Sequence, residues 1–260
     1  MIKKLGLQLY SVRNYMEAPD KADSALKKLS EMGYSEAHTA GQYGMSAEAF
    51  AEILNKNGIS IIGTHYDYND IINDPEETIR VHKLWNTTNI GIGGMPVEAR
   101  NNLEELKRFI NDFNKASELY AKEGFKLTYH NHNFEFLRID GKKTLMDYLY
   151  EELDPKNISF VLDTCWIHAA CASLDQWMDK LAGRIDILHC KDVMLHRVND
   201  QLCGTMTEVG NGFVDWKAVI EKAEKIGVKH YIVEQDANFI GGDSLASMQA
   251  SADYLKQFMA

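Results

Sequence analysis

The chain of 260 residues carries nine histidines, and their placement has chemical consequence. His38, His65, His130, His132 and His189 each fall at or just after a short apolar run, as do Glu36, Asp163, Lys191, Asp192 and Glu234. Imidazole nitrogens and carboxylate oxygens brought together form a mixed donor set, which suits Mn²⁺, Co²⁺, Zn²⁺ or Fe²⁺ better than a thiolate site would. Asp163, His189 and Glu234 are the leading metal-ligand candidates, because each directly follows an apolar run. His38, His65 and His132 are read as contacts to substrate hydroxyls or as supports for the ligands. The competing reading for any one of them is a loop cap or a partner for a buried backbone group. Cys165, Cys171, Cys190 and Cys203 form no C-x-x-C pair and are expected to be reduced thiols in a cytoplasmic protein.

Such residues need a scaffold that gathers them, and the sequence repeats a phrase that supplies one. An amphipathic helix, a glycine that stops it and a short apolar run recur at Leu26 to Gly33-Tyr34, Phe50 to Gly58-Ile59, Ser117 to Gly124-Phe125 and Val219 to Gly227-Val228. Glycine fits the left-handed C-terminal cap, where a Cβ would clash. The apolar runs are short and rich in β-branched residues, as strands of a covered parallel sheet are. Leu5–Leu9, Asn89–Ile92, Ile158–Leu162 and Ile185–Leu188 play the same part without the glycine. Eight strands with intervening helices predict a single (β/α)8 barrel over residues 1–260, with its active site at the C-terminal strand ends. A doubly wound sheet would want a Gly-rich phosphate loop after the first strand, but Leu9 runs into Tyr10-Ser11-Val12-Arg13, and Gly91-Ile-Gly93-Gly94 lacks the G-x-G-x-x-G spacing.

Charge and hydropathy narrow the partners. The net charge of −10, with lysines spread along helix faces, is a poor match for nucleic acid, which rewards a basic stripe. No stretch approaches the roughly 20 apolar residues of a membrane span. The basic start, Met1-Ile2-Lys3-Lys4, leads into a strand pattern and not a signal-peptide apolar run, so nothing is expected to address the chain for export.

The strand ends also carry a resemblance. Val161-Leu-Asp163-Thr, Leu188-His189-Cys-Lys191-Asp192, Glu208-Val-Gly210-Asn-Gly212-Phe-Val-Asp215-Trp216 and Ile232-Val-Glu234 resemble the xylose isomerase-like TIM-barrel superfamily of sugar phosphate isomerases and epimerases, with its inosose dehydratase, ketose 3-epimerase and endonuclease IV relatives. The resemblance implies a metal held by Glu, Asp, His and Glu from strands five to eight. Asp163, His189 and Glu234 match the last three. Where relatives show Glu-Asn-His, this chain reads His130-Asn131-His132, so His130 takes the first ligand's place. The glutamate pair of ketose epimerases is therefore incomplete, with Glu135 either a further carboxylate or simply loop. Trp166 stands where relatives often carry histidine; it either stacks on a sugar face or packs in the core.

The reaction implied is that of a divalent-metal-dependent isomerase or epimerase, working on a ketose or keto-sugar by proton abstraction through an enediolate. Mn²⁺ is the leading ion, with Co²⁺, Zn²⁺, Mg²⁺ or Fe²⁺ as alternatives. Glu234 or His130 is the expected general base. Expelling a β-oxygen instead gives the alternative, a dehydratase or lyase on a keto-sugar or 3-keto-glycoside. Lys191 is expected either to neutralise an oxyanion or phosphate or to pair with Asp192 at the rim. Glu208 and the Gly210-Asn-Gly212 turn are expected to contact substrate as a lid, or to be a plain surface loop. The absence of an arginine cluster points to an unphosphorylated small-molecule sugar. Rival classes are an endonuclease IV-like phosphodiesterase, opposed by the acidic charge, and a non-catalytic sugar-binding barrel or accessory subunit. Homo-oligomerisation is left open.

Overall fold

The computed structural model describes residues 1–260, the side chain of Val198 apart. Its barrel strands are β1 (Leu5–Gln8), β2 (Tyr34–Ala40), β3 (Ser60–His65), β4 (Asn89–Ile92), β5 (Lys126–His130), β6 (Ile158–Asp163) and β7 (Ile185–Cys190), closed by β10 (His230–Val233). Every neighbouring pair runs parallel, in the order β1-β10-β7-β6-β5-β4-β3-β2. The (β/α)8 expectation is met, and each predicted run lies on its strand. Gly33 and Gly227 cap their helices at φ 105° and 88°, where any other L-residue would be strained.

Ile62, Val161, Ile187 and Ile232 fill the inside of the barrel as a small core of their own. The larger core lies outside, between strands and helices, where Phe50, Phe113, Tyr129 and Phe160 are fully covered. Gly63 is required at the inner wall by close approach: a Cβ there would stand 2.8 Å from His38 Cδ2 and 2.9 Å from Ile187 Cδ1. Gly63→Ala is therefore expected to lower stability by about 1–3 kcal/mol through overpacking, read as a fall in thermal midpoint.

The bottom of the barrel is tied by a buried carboxylate. Asp186 accepts from Ser159 Oγ at 2.7 Å and meets Lys126 Nζ at 3.0 Å and Lys229 Nζ at 2.8 Å, joining the starts of β5, β6, β7 and β10. Burial alone would raise its pKa, but these donors outweigh it and hold the carboxyl down at about 2. A folded value below the unfolded one, roughly 3.9, gives stabilisation that is complete above about pH 4 and drains away as pH falls toward 2. Asp186→Asn is expected to cost about 1–3 kcal/mol at neutral pH and to flatten this acid limb, which chemical denaturation at several pH values will read.

One element was not expected. Between β7 and β10 the chain forms an antiparallel hairpin, β8 (Asp192–Val198) with β9 (Gln201–Thr207), around Asn199 and Asp200 at φ 46° and 62°. Two left-handed residues make the turn whose twist matches that of a two-stranded ribbon.

Candidate active site at the barrel mouth

The C-terminal ends of β5, β6, β7 and β10 bring His130, Asp163, His189 and Glu234 together, with one ligand atom from each within 4.8 Å of all the others. His130 Nε2 lies 3.5 Å from Asp163 Oδ2 and 3.9 Å from Glu234 Oε2; His189 Nδ1 lies 2.8 Å from Glu234 Oε2 and 3.9 Å from Asp163 Oδ2. All four side chains are buried.

The surrounding groups decide which atoms are free. Asp163 Oδ1 caps the helix Thr164–Ala169 by accepting from the Trp166 N–H at 2.9 Å, leaving Oδ2 without a hydrogen-bond partner. His130 Nδ1 faces the Gly93 carbonyl at 3.4 Å, an acceptor for an Nδ1–H, and Nε2 has no hydrogen-bond partner. Gln8 Nε2 donates to His38 Nδ1 at 2.8 Å, and His189 Nε2 reaches the same nitrogen at 3.1 Å. His189 Nδ1, 2.8 Å from Glu234 Oε2, is within hydrogen-bond distance of that carboxylate, and a bound ion would displace the proton between them. Outer groups of this kind set the tautomer of metal-binding histidines. The buried His130 Nε2 and Asp163 Oδ2, both without a hydrogen-bond partner, are donor atoms that a cation between them would satisfy.

Charge counting agrees. Lys191 Nζ is buried 2.6 Å from Asp236 Oδ2, 3.3 Å from Glu234 Oε2 and 3.6 Å from Asp163 Oδ2. Three carboxylates against one ammonium leave a formal charge of −2 in the cluster, which one divalent ion would offset. The donor set therefore fits a divalent metal. Burial would lower the Lys191 pKa, but Glu234, Asp163 and Asp236 outweigh it and raise it. Burial likewise opposes ionisation of Glu234, yet Lys191 and His189 hold its carboxyl well below the usual range. His130 is raised despite burial, through Asp163 and Glu234, whereas burial leaves His189 lowered in spite of Glu234.

Above the cluster opens a cavity of about 290 Å³, lined by Tyr10, Ala40, His65, Gly93, His130, His132, Trp166, Lys191, Glu234 and Asp236. Of the substrate-contact candidates, His65, His132, Trp166 and Lys191 line this cavity. His38 and Glu208 do not. His38 lies beneath it, fully buried between Gln8 and His189. The Glu208 carboxylate is engaged by Ser247 Oγ at 2.6 Å and Gln235 Nε2 at 3.3 Å.

The pairing of Lys191 with Asp192 also needs correction. Asp192 points the other way and accepts from the backbone N–H groups of Gly210, Gly212 and Val214 and from Trp216 Nε1 at 2.7 Å. It anchors the Glu208–Gly212 turn, which stands away from the polar cavity. Glu135 is not a free base either: its carboxylate accepts from the Tyr129 hydroxyl at 2.7 Å and the His132 N–H at 2.8 Å, bracing the His130–His132 segment. Burial pushes its pKa up to about 7.

Two polar residues of the cavity escaped the sequence reading. Asp236 lies two positions past Glu234, just after β10, and lines the same cavity; its side chain is 24% exposed and Oδ1 has no partner. Tyr10 is held by Arg13, whose guanidinium stacks on the ring at 4.2 Å and donates to the Tyr10 and Asp236 carbonyls at 2.8 and 3.1 Å. The i, i+2 spacing of Glu234 and Asp236 was the available signal for the first. Nothing in the sequence marked the second.

A parallel eight-stranded barrel with imidazoles and carboxylates gathered at its C-terminal mouth defines a recognisable class. Residues 26–258 match the family model described as xylose isomerase-like TIM barrel, and the chain belongs to that family. It is similar to an inosose dehydratase of Lactiplantibacillus plantarum (strain ATCC BAA-793 / NCIMB 8826 / WCFS1), 25% identical over 279 residues and covering 98% of this chain and 85% of that protein. An inosose dehydratase of Geobacillus thermodenitrificans (strain NG80-2) is 28% identical over 147 residues, covering 51% of this chain and 48% of that relative, so the match spans about half the relative's length. Among solved structures, a sugar phosphate isomerase/epimerase from Parabacteroides distasonis ATCC 8503 superposes with a TM-score of 0.83 at 24% identity, over 98% of both chains. The IOLI protein with a binding zinc atom gives 0.72 at 16% identity, over 97% of both chains. These two likenesses establish the fold. Among the described residues, no helix is long and apolar enough to cross a membrane.

Proposed function

We propose that the chain is a metal-dependent enzyme that eliminates a β-oxygen from a keto-sugar, a dehydratase or lyase. The observation that carries this reading is the 2.6 Å contact between Lys191 Nζ and Asp236 Oδ2 at the wall of the polar cavity. His130, Asp163, His189 and Glu234 would hold the ion; of the ions expected from sequence, Mn²⁺, Co²⁺, Zn²⁺ and Fe²⁺ suit two imidazoles and two carboxylates best. When bound, a divalent ion supplies Lewis-acid polarisation of a carbonyl and offsets the carboxylate charge that holds the Lys191 proton.

The chain's own groups divide the rest of the work. Glu234 and His130, the bases expected from sequence, both lie inside the ligand group, which leaves Asp236 as the carboxylate open to substrate. Asp236 removes the proton α to the carbonyl, the C–H electron pair becomes the new C=C, and the bond to the β-oxygen breaks. Lys191 gives its proton to the leaving oxygen, releasing water or an alcohol. The proton taken by Asp236 then returns to Lys191 across 2.6 Å, and both groups are restored.

An isomerase or epimerase would share the first step but must deliver a proton to another carbon or face. The other imidazoles lining the cavity are poorly suited to that task. Burial drives His65 well below its ordinary value and His132 down to about 2, so neither carries a proton near neutrality. The likeness to two inosose dehydratases supports the same choice. The test is to incubate the metal-loaded protein with an inosose and with a 3-keto-glucoside in D₂O. The expected result is loss of water or alcohol and an enone absorbance. Recovery of an intact, deuterated, isomerised or epimerised sugar would contradict the elimination and restore the isomerase reading.

A further inference from the structure

Beside the polar cavity lies a second and larger one, of about 520 Å³, and Trp166 lines both. Three walls of the second cavity continue from residues of the proposed site. The helix Thr164–Ala169 follows Asp163, the β8–β9 hairpin follows Lys191, and Ala237 follows Asp236. The lining contains no Asp, Glu, Lys or Arg. Val193, Leu195, Met206 and Phe213 give it an apolar surface, with the His168 ring set edge-on to Phe213 at 5.3 Å. Burial lowers the His168 pKa, which keeps that ring neutral. Leu195 and Phe213 are 61% and 55% exposed, more apolar surface than a barrel rim needs to show to water. The polar cavity sits at the lower end of the range of small-ligand sites, roughly 300 Å³ upward, and has room for one sugar ring. A substrate longer than one ring has an apolar compartment waiting past Trp166.

We propose that this second cavity is an aglycone subsite, so that the substrate is a glycoside whose sugar end enters the polar cavity and whose neutral aromatic aglycone lies against Trp166, Met206 and Phe213. The assignment rests on the keto-sugar reading above and names its substrate class: a keto-glycoside and not a free sugar, with an alcohol or phenol as the leaving group. No lysine or arginine lines the cavity to pair with a phosphate, which argues against sugar phosphates at this end. Rings stacked against aromatic and thioether side chains gain from burial and from contact geometry.

The test compares binding of phenyl β-D-glucopyranoside and methyl β-D-glucopyranoside to the purified full-length protein by titration calorimetry. The phenyl glycoside is expected to bind about 10–100-fold more tightly, the gain from burying one aromatic ring. Gly204 and Val193 both line the cavity, and a Cβ at Gly204 would meet Val193 Cγ2 at an ordinary 3.6 Å, so Gly204→Leu is chosen to fill it. This variant is expected to bring the two affinities within about twofold and to leave the methyl glycoside unchanged. Met206→Ala, which keeps the hairpin backbone as it is, is expected to weaken the phenyl glycoside alone. Equal affinities in the wild type, or a preference that survives Gly204→Leu, would overturn the subsite. So would sedimentation showing a dimer that Gly204→Leu dissociates with no phenyl preference, which would give the face to a second copy of the chain. A phenyl preference in a protein that takes up no metal would uphold the subsite while defeating the elimination reading.

Discussion

Asp236→Asn is expected to lower kcat for a keto-sugar by about 10²–10⁴-fold, the usual worth of a positioned proton acceptor, with metal content at the wild-type level. The amide keeps the shape of the carboxylate and can still meet Lys191, so substrate binding and fold are expected to survive. What is lost is the acceptor for the α-proton. Asp236 is suited to that part because burial and the nearby Glu234 raise its pKa, while Lys191 keeps the effect in check. The check is steady-state kinetics with elemental analysis of the same preparation. A variant that turns over normally would assign the base elsewhere, with Glu234 the first alternative.

Lys191→Met is expected to reduce kcat by a similar factor, about 10²–10⁴, and to disturb the metal-free protein more than any surface change. It removes the one ammonium among Asp163, Glu234 and Asp236, leaving the buried carboxylates at a formal −3. Removing one partner of a buried charge group costs about 3–5 kcal/mol, so the metal-free thermal midpoint is expected to drop, with a divalent ion recovering part of it by mass action. Because Lys191 and Asp236 are assigned to one proton circuit, their effects are not expected to add. The double variant is expected to be about as slow as the slower single one, as with groups that act as a unit. Full additivity in the kinetic cycle would mean two independent roles.

The fold was legible because the barrel repeats one piece of physics. Gly33, Gly58, Gly124 and Gly227 end amphipathic helices just before short β-branched runs, and all four adopt the left-handed conformation that only glycine takes cheaply. The hairpin was not legible, since Asn199-Asp200 is a weaker turn signal than Asn-Gly and the flanking residues mix polar and apolar types on an exposed ribbon. The candidate cluster was visible for a related reason: a polar residue directly after a buried parallel strand has few places to point except the barrel mouth. Side-chain direction in loops has no such rule. Glu208, Asp192 and Glu135 looked like site carboxylates in the sequence, yet each turns to backbone N–H groups or hydroxyls that hold a loop in place. Asp236 and Tyr10 meet at the cavity where the Arg13 side chain joins two distant segments, a contact between residues 223 positions apart.

The most direct test of the central claim is the metal content of the purified protein, measured by elemental mass spectrometry alongside His130→Ala and Glu234→Ala. The predicted result is about one divalent ion per chain, matching the formal −2 of the cluster, and its loss in both variants. A wild-type protein that holds no ion, even after exposure to Mn²⁺, Co²⁺ and Zn²⁺, would contradict the account and leave the barrel as a sugar-binding protein.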